Sequence, residues 1–398
     1  MSACRKNILI LTYWSYNDAL IQTYTLPYVK LIAECLEEDG KIFLLTLDKS
    51  EQPQFEKIPK IHNLSIPYKP VGIAAMFLWL RTIIKLLILI RKEKITTIHA
   101  WCTPAGMIGY LLSVLTGKEL IIDSFEPHAE TMIENGVWKK NSFAFRLLFK
   151  FEKLQAHRAK HLISISEKMC DYAAIKYGHH KQNYFVKPAC VNLDLFSYKN
   201  KKNPALLKEL NLENKLVCVY AGKFGGIYLE KEAFDFFKIA EGFWGNDFRV
   251  LILTSSTEKE IDEFRINSGL KKETIIQRFV PHAQIPDYIG LGDFAITPVK
   301  PIETKRYCSP IKDGEYWALG LPVVITKNIS DDSDIIKKNN IGSVLDNLNN
   351  EAYLKSVKEI DELLKNQTRK DLYSKIRAIA ESHRNFNIAK KIYNTIYN

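Results

Sequence analysis

The sequence predicts an α/β protein built from two doubly wound parallel sheets, and three observations carry that prediction. Short aliphatic and β-branched runs alternate with helical stretches along all 398 residues, the pattern of βαβ units and so of parallel strands. The alternation is broken once, by VKPACVNLDLF (186–196) and the polar SYKNKKNP (197–204), a composition that suits a connector. The chain, 46% hydrophobic, is also too long for one ordinary core and suits two.

Taken in order, NILILT (7–12) opens the first half, a helix is expected near 20–38, and KIFLLTL (41–47) follows it. TIHAW (97–101), ELIID (119–123) and HLISI (161–165) are the remaining strands of that half. The second half repeats the scheme with LVCVYA (216–221), RVLILT (249–254), TIIQRF (274–279), DFAITPV (293–299) and PVVIT (322–326). Its helices include EKEAFDFFKIAEGF (230–243) and the segment that carries Glu315. Two such domains are expected to face each other across a cleft. In sheets of this kind ligands bind beyond the carboxyl ends of the strands, so chemistry is sought just after a strand.

One segment needs separate treatment. VGIAAMFLWLRTIIKLLILIRKEK, from Val71, is apolar enough to resemble a membrane span but holds Arg81 and Lys85 near its middle. Each would cost about 2.5–3.5 kcal/mol at a bilayer centre. The segment therefore reads as a basic amphipathic helix. It either packs within its domain with Arg81 and Lys85 at the rim, or rests on a membrane surface.

Charge and cysteine usage narrow the function. The net charge of +11 is uneven: residues 1–190 hold 25 Lys and Arg against 17 Asp and Glu, a net of +8, and residues 191–398 a net of +3. Such a bias serves solubility, or draws a protein to anionic membrane, nucleic acid or a phosphorylated ligand. A nucleic-acid role requires a reading element besides charge, and none is visible. The seven cysteines (4, 35, 102, 170, 190, 218 and 308) form no Cys-x-x-Cys, so neither a zinc site nor a disulfide framework is expected. That usage fits the cytoplasm. Arg5 and Lys6 precede only the short run Ile8 to Leu11, which reads as a strand and not as a secretory signal.

Three stretches carry candidate chemistry. In SPIKDGEYWALGLPVVIT (309–326), Ser309 is a favoured N-cap and Pro310 is tolerated at the first helical position, while Gly320 and Pro322 end the helix. The helix start offers free N–H groups to a phosphate, and Lys312 adds positive charge. Glu315 lies one turn on, where a carboxylate can accept two hydroxyls of a ribose. A solvated i,i+3 ion pair between Lys312 and Glu315 is the competing reading. In YAGKFGG (220–226), a strand ends in a turn where Gly222 and Gly225 let the backbone approach a ligand and Lys223 supplies charge. An ordinary strand-to-helix turn competes. Lys231 is a further cation at the next helix start, or simply part of a solvated face. In IIDSFEPHAE (121–130), Glu126 and His128 follow a strand. His128 could orient a substrate hydroxyl and Glu126 accept a proton, or the two could cap the next helix.

GEYWALGLPVVIT resembles the donor-binding helix and strand of GT-B glycosyltransferases, in particular family 4, through Glu315, Ala318, Gly320, Pro322 and Val323. SPIK resembles the variant of that motif in capsule and surface-polysaccharide transferases. HLISISEKMCDYAAIKYG (161–178), VKPACVNLDLF, YAGKFGG and FVPHAQIPDYIGLGDFAITP (279–298) resemble further segments of the family, the last lying beside the nucleotide base and holding Pro281. Four departures stand out. Tyr307 occupies the place of the first Glu of the family's Glu-x7-Glu pair. Lys223 replaces the usual Arg. Ala189 and Cys190 replace Asn-Gly, and the first loop, TYWSYNDAL (12–20), has no glycine.

The resemblance implies two Rossmann-like domains, an acceptor-side domain over 1–190 and a nucleotide-sugar domain over 191–380. A C-terminal helix over 381–398 is expected to pack back on the first domain. It implies a retaining, metal-independent hexosyltransferase without cofactor, moving a sugar from a nucleotide-diphospho-sugar to a glycan or lipid-linked acceptor in cell-surface polysaccharide synthesis. Gly222, Lys223, Ser309, Lys312 and Glu315, with Lys231, Gly225 and Pro281 behind them, would hold the donor. His128 and Glu126 would act in catalysis. The expected location is cytoplasmic, on the inner membrane face. A GT-B sugar-nucleotide 2-epimerase, or a non-catalytic nucleotide-sugar-binding protein, remains the alternative.

Overall fold

The computed structural model describes residues 6–49, 54–69, 73–179 and 183–397; Cys4, Arg5 and Val71 lie outside them. Residues Asn7–Leu11 (β1) are buried along their whole length, as a parallel strand covered on both faces must be. It is joined by Ile42–Asp48 (β2), Ile61–Pro67 (β3), Ile95–Trp101 (β4), Glu119–Phe125 (β5), His161–Ser164 (β6) and Tyr184–Val186 (β7). All pair in parallel, in the order β3-β2-β1-β4-β5-β6-β7. The order reverses between β1 and β4. This sheet and its helices form one compact unit, Met1–Pro188 with Asn387–Asn398.

The second unit, Ala189–Phe386, holds Leu216–Ala221 (β8), Phe248–Leu253 (β9), Ile275–Arg278 (β10), Phe294–Thr297 (β11), Val323–Thr326 (β12) and Gly342–Leu345 (β13). They too are parallel, in the order β10-β9-β8-β11-β12-β13, with the reversal between β8 and β11. Alternation along β8 explains its two-sided core. Val217, Val219 and Ala221 join one hydrophobic cluster with Tyr316 and Trp317, while Cys218 and Tyr220 join the other with Phe234 and Phe237.

The expected strands are all present. Three others have no counterpart in the sequence reading: β3, β7 and β13. Strand β3 is an edge strand with polar residues along it, and β7 is three residues long. The helix expected at 20–38 is split into a π turn, Ile21–Thr25, and an α-helix, Leu26–Cys35, that starts at a proline step.

The helix Ile73–Lys92 packs one face on its own unit, against β4 and the helix Cys102–Thr116, with Arg81 and Lys85 at the rim as expected, but leaves a second apolar face open. Thr82, Leu86 and Ile90 are buried, but Phe77, Leu80, Ile84 and Ile88 are each more than half exposed. Arg81, Lys85, Arg91 and Lys92 are exposed as well. At 3.6 residues per turn these eight side chains fall within one arc of roughly 140°. Among the described residues no helix is long and apolar enough to cross a membrane.

Candidate functional site

The reversal between β8 and β11 brings the donor-motif residues of the second unit together. β8 ends at Ala221, whose N–H donates to Tyr316 Oη at 2.9 Å. That bond ties the strand end to the helix Ile311–Ala318. Gly222 follows with φ +153°; a Cβ there would sit 2.5 Å from Lys312 Cε and 2.7 Å from Nζ. The glycine is therefore what lets the Lys312 side chain lie across the strand end. The Lys312 ammonium rests 3.9 Å from the Tyr228 ring centre and 5.5 Å from that of Tyr220, a contact that favours a cation without neutralising it. Gly225, at φ +82°, leaves room for Glu230, whose Oε1 would stand 2.7 Å from a Cβ there. Lys223 is exposed at the tip of the turn, and its carbonyl accepts from Tyr220 Oη.

Glu315 is half-buried, and its carboxyl makes no hydrogen bond or ion pair among the described residues. Burial pushes its carboxyl up to about 7, and Lys312 pulls it part of the way back. The i,i+3 ion pair is thus not formed: Lys312 lies on tyrosine rings and Glu315 has an unengaged carboxyl. A carboxyl left without partners at a strand reversal is suited to accept hydrogen bonds from a ligand.

Ser309 is placed differently from the expectation. The helix begins at Ile311 with Pro310 as its cap residue, and no side chain caps it. Ser309 Oγ instead accepts from the Arg384 guanidinium and from Ala189 N. Arg384 belongs to a buried network that the sequence reading missed. It pairs with Asp332, while Thr297 donates to Asp313. Burial raises both carboxyls, Asp332 the further, while the Arg384 guanidinium pulls each back. Asp313 stands beside Lys312 in sequence, but Arg384 lies 75 residues from Ser309, so no local pattern announces the group.

Two weaker candidates stand apart. Lys231 is on the exposed face of the helix Lys231–Trp244, bound to Asp235 Oδ2 at 2.6 Å. Pro281 is exposed in the loop after β10, before the short helix His282–Gln284.

In the first unit, Glu126 and His128 follow β5 and do meet: His128 Nδ1 is 3.2 Å from Glu126 Oε1. Both side chains are about a quarter exposed. Beneath them Glu152, fully buried, accepts from Ala129 N at 2.8 Å and from Tyr177 Oη at 2.9 Å. Burial pushes this carboxyl up to about 8 against those bonds. It fixes the start of the helix His128–Glu134.

A second carboxylate lies deeper. Asp123, within β5, is fully buried with Lys187 Nζ 3.0 Å away and His99 Nε2 3.3 Å away. Tyr393 Oη donates to it at 2.7 Å. Burial opposes its charge, yet Lys187, His99 and Tyr393 hold its carboxyl down at about 2. Lys187 also lies 3.5 Å from the centre of the Tyr28 ring and 4.7 Å from that of Trp101.

Residues 299–393 match the family model of the glucosyltransferase 3-like C-terminal domain. No curated protein matches the chain. Among solved structures, sucrose-phosphate synthase from Thermosynechococcus elongatus superposes with a TM-score of 0.73 at 12% identity, over 99% of this chain and 98% of that one. A glycosyltransferase from Rickettsia africae gives 0.70 at 15%, over 99% and 98%. The HepE protein of Anabaena, solved in complex with UDP, gives 0.69 at 14%, over 98% and 99%. The chain has the two-sheet GT-B fold of glycosyltransferases, and its residues 299–393 match the glucosyltransferase 3-like C-terminal domain.

Proposed function

We propose that this chain is a retaining, metal-independent glycosyltransferase. It moves a hexose from a nucleotide-diphospho-sugar to a glycan or lipid-linked acceptor in cell-surface polysaccharide synthesis. The observation that carries the reading is the unpartnered, half-buried carboxyl of Glu315 beside the unneutralised ammonium of Lys312. A nucleotide sugar supplies what each lacks. Ribose hydroxyls donate to Glu315, and the diphosphate takes Lys312, Lys223 and the free amides at the start of the helix Ile311–Ala318. As the bond to the sugar breaks, charge grows on the leaving diphosphate, and these cations offset it without reorganisation. The likeness to family 4 supports retention. His128 and Glu126 act on the acceptor hydroxyl.

HepE has also been solved with UDP-glucose, so UDP-glucose is the donor to test first. The protein is incubated with UDP-glucose and glycan or lipid-linked acceptors, and products are resolved by NMR. Transfer with the donor's anomeric configuration kept is the expected result, and His128→Ala should impair it while sparing binding of UDP. An isomerised donor would move the chain to the epimerase class. Tight donor binding with neither transfer nor hydrolysis would make it a binding protein.

The work place we propose is the cytoplasmic face of a membrane, reached without spanning it. The exposed stripe Phe77, Leu80, Ile84 and Ile88 with Arg81 and Lys85 beside it supports that reading. Sedimentation with neutral and anionic liposomes at low and high salt tests it. Binding should need anionic lipid and weaken with salt.

A further inference from the structure

At the far end of the helix Ile73–Lys92 the chain forms a cavity of about 790 Å³ that the donor chemistry does not use. Arg91, Lys92, Lys94 and Lys118 line it, with Lys41 and a single carboxylate, Glu93. Glu93 is already paired with Lys41 at 3.5 Å. The neutral polar groups are engaged as well: Asn7 Nδ2 donates to Glu93 O, Thr96 Oγ1 to Asn7 O and Thr116 Oγ1 to Leu112 O. Arg91, Lys92, Lys94 and Lys118 make no ion pair among the described residues.

Two helices end here, Ile73–Lys92 and Cys102–Thr116. Their C-terminal partial charges, roughly −0.5 each, account for about one unit of compensating positive charge. The lining carries a net of four, so most of the excess is not explained by the helix ends. Lys94 adds a second peculiarity, since it adopts φ +49°, a conformation that costs a non-glycine residue something. The cavity also continues into apolar surface. Leu115 lines it and is 61% exposed, and Ile88 stands on the same helix face as Arg91, less than one turn before it.

We propose that this cavity takes the phosphate of an anionic lipid headgroup while the stripe from Phe77 to Ile88 enters the acyl boundary. The occupant follows from the pairing of the two surfaces. A soluble phosphate would use the cations and leave the stripe in water, whereas a lipid satisfies both. Four convergent cations match a phosphomonoester, which carries more charge and more terminal oxygens than a phosphodiester. The proposal rests on the membrane reading above and deepens it by naming the headgroup site.

The test uses the full chain and three vesicle types: phosphatidylcholine alone, and phosphatidylcholine mixed with phosphatidylglycerol or with phosphatidic acid at matched surface charge. The protein should bind phosphatidic acid more tightly than phosphatidylglycerol. Lys94→Gly with Lys118→Ala should remove that preference and lower binding to phosphatidic acid about thirtyfold, what two cations near an anionic leaflet supply. The glycine relieves the left-handed backbone, so the variant keeps its fold, which circular dichroism verifies. Arg81→Ala with Lys85→Ala should weaken both anionic vesicles alike. If the wild type binds anionic vesicles without preferring phosphatidic acid, or the cavity variant keeps that preference, the cavity is not the headgroup site and the membrane reading stands. If the wild type binds no anionic vesicle at low salt, both readings fall. Stabilisation by millimolar inorganic phosphate, at constant ionic strength and without vesicle preference, would assign the cavity to free phosphate and overturn the lipid.

Discussion

Asp123 and Glu315 are two carboxyls taken from water with opposite results. Asp123 has Lys187, His99 and Tyr393 around it and stays ionised, held at about 2. Glu315 has only Lys312 at a distance and rises to about 7. Burial penalises the charge in both cases; the partners decide which way the group goes. The first arrangement is complete without a ligand and reads as architecture. The second is incomplete until something donates to it, and that incompleteness marks the donor site.

The largest expected effect comes from breaking the complete arrangement. Lys187→Met leaves Asp123 buried without its cation, which costs about 3–5 kcal/mol. Denaturant unfolding measures this, and an unchanged midpoint would mean that the ion pair does not hold the first unit together. A smaller loss is expected at the incomplete one. Glu315→Ala should leave the fold intact and weaken UDP-glucose binding by about 1.5–3 kcal/mol, the value of hydrogen bonds to a charged group. Calorimetry on the folded variant that returns the wild-type affinity would remove Glu315 from the donor site.

The contrast also has a pH signature. Ribose hydroxyls favour ionised Glu315, so binding lowers its pKa and releases protons near neutrality. Affinity should rise with pH through about 7 and level off above it, while Glu315→Gln should flatten the profile. In the free protein the sign is reversed. Because the folded carboxyl sits above its ordinary 4.5, its contribution to stability is present below 4.5 and is lost as pH rises through about 7. Calorimetry in buffers of different ionisation enthalpy counts the protons; none released near pH 7 would contradict the assignment. The smallest effect should come from Gly222→Ala. Its methyl displaces Lys312, the one cation that lowers the Glu315 pKa, so the pH midpoint of binding should move upward. A midpoint unchanged or lowered would show that Lys312 does not act on Glu315.

Much of this was legible in the sequence because it is local. Most of the ten expected strands are runs whose burial on both faces demands continuous apolar residues, β10 at the sheet edge excepted, and the helix that holds Lys312 and Glu315 announces itself by the glycine and proline that end it. What was not legible depends on distance or on exposure. The Asp123 partners Lys187 and Tyr393 come from separate parts of the chain, as does Arg384 beside Ser309, and no spacing rule joins them. Strands β3, β7 and β13 are too short or too polar to show the period of a buried strand. The helix from Ile73 has apolar residues on its basic face as well as opposite it, so its sequence could not tell which of them the domain would leave uncovered.

The bond between Tyr393 and Asp123 spans 270 positions of sequence, and the helix Phe386–Tyr397 that supplies it completes the first unit only after the whole second unit has been made. At about 5–20 residues per second, a nascent first unit waits on the order of tens of seconds for its last helix. During that interval Asp123 lacks Tyr393 and His99 lacks the Tyr397 hydroxyl that bonds its Nδ1, and the surface beneath the missing helix is open to water and to chaperones. Ribosome-bound chains halted before residue 386 should therefore be cleaved by protease within the first unit far faster than released protein. Equal resistance would show that the unit closes without its final helix.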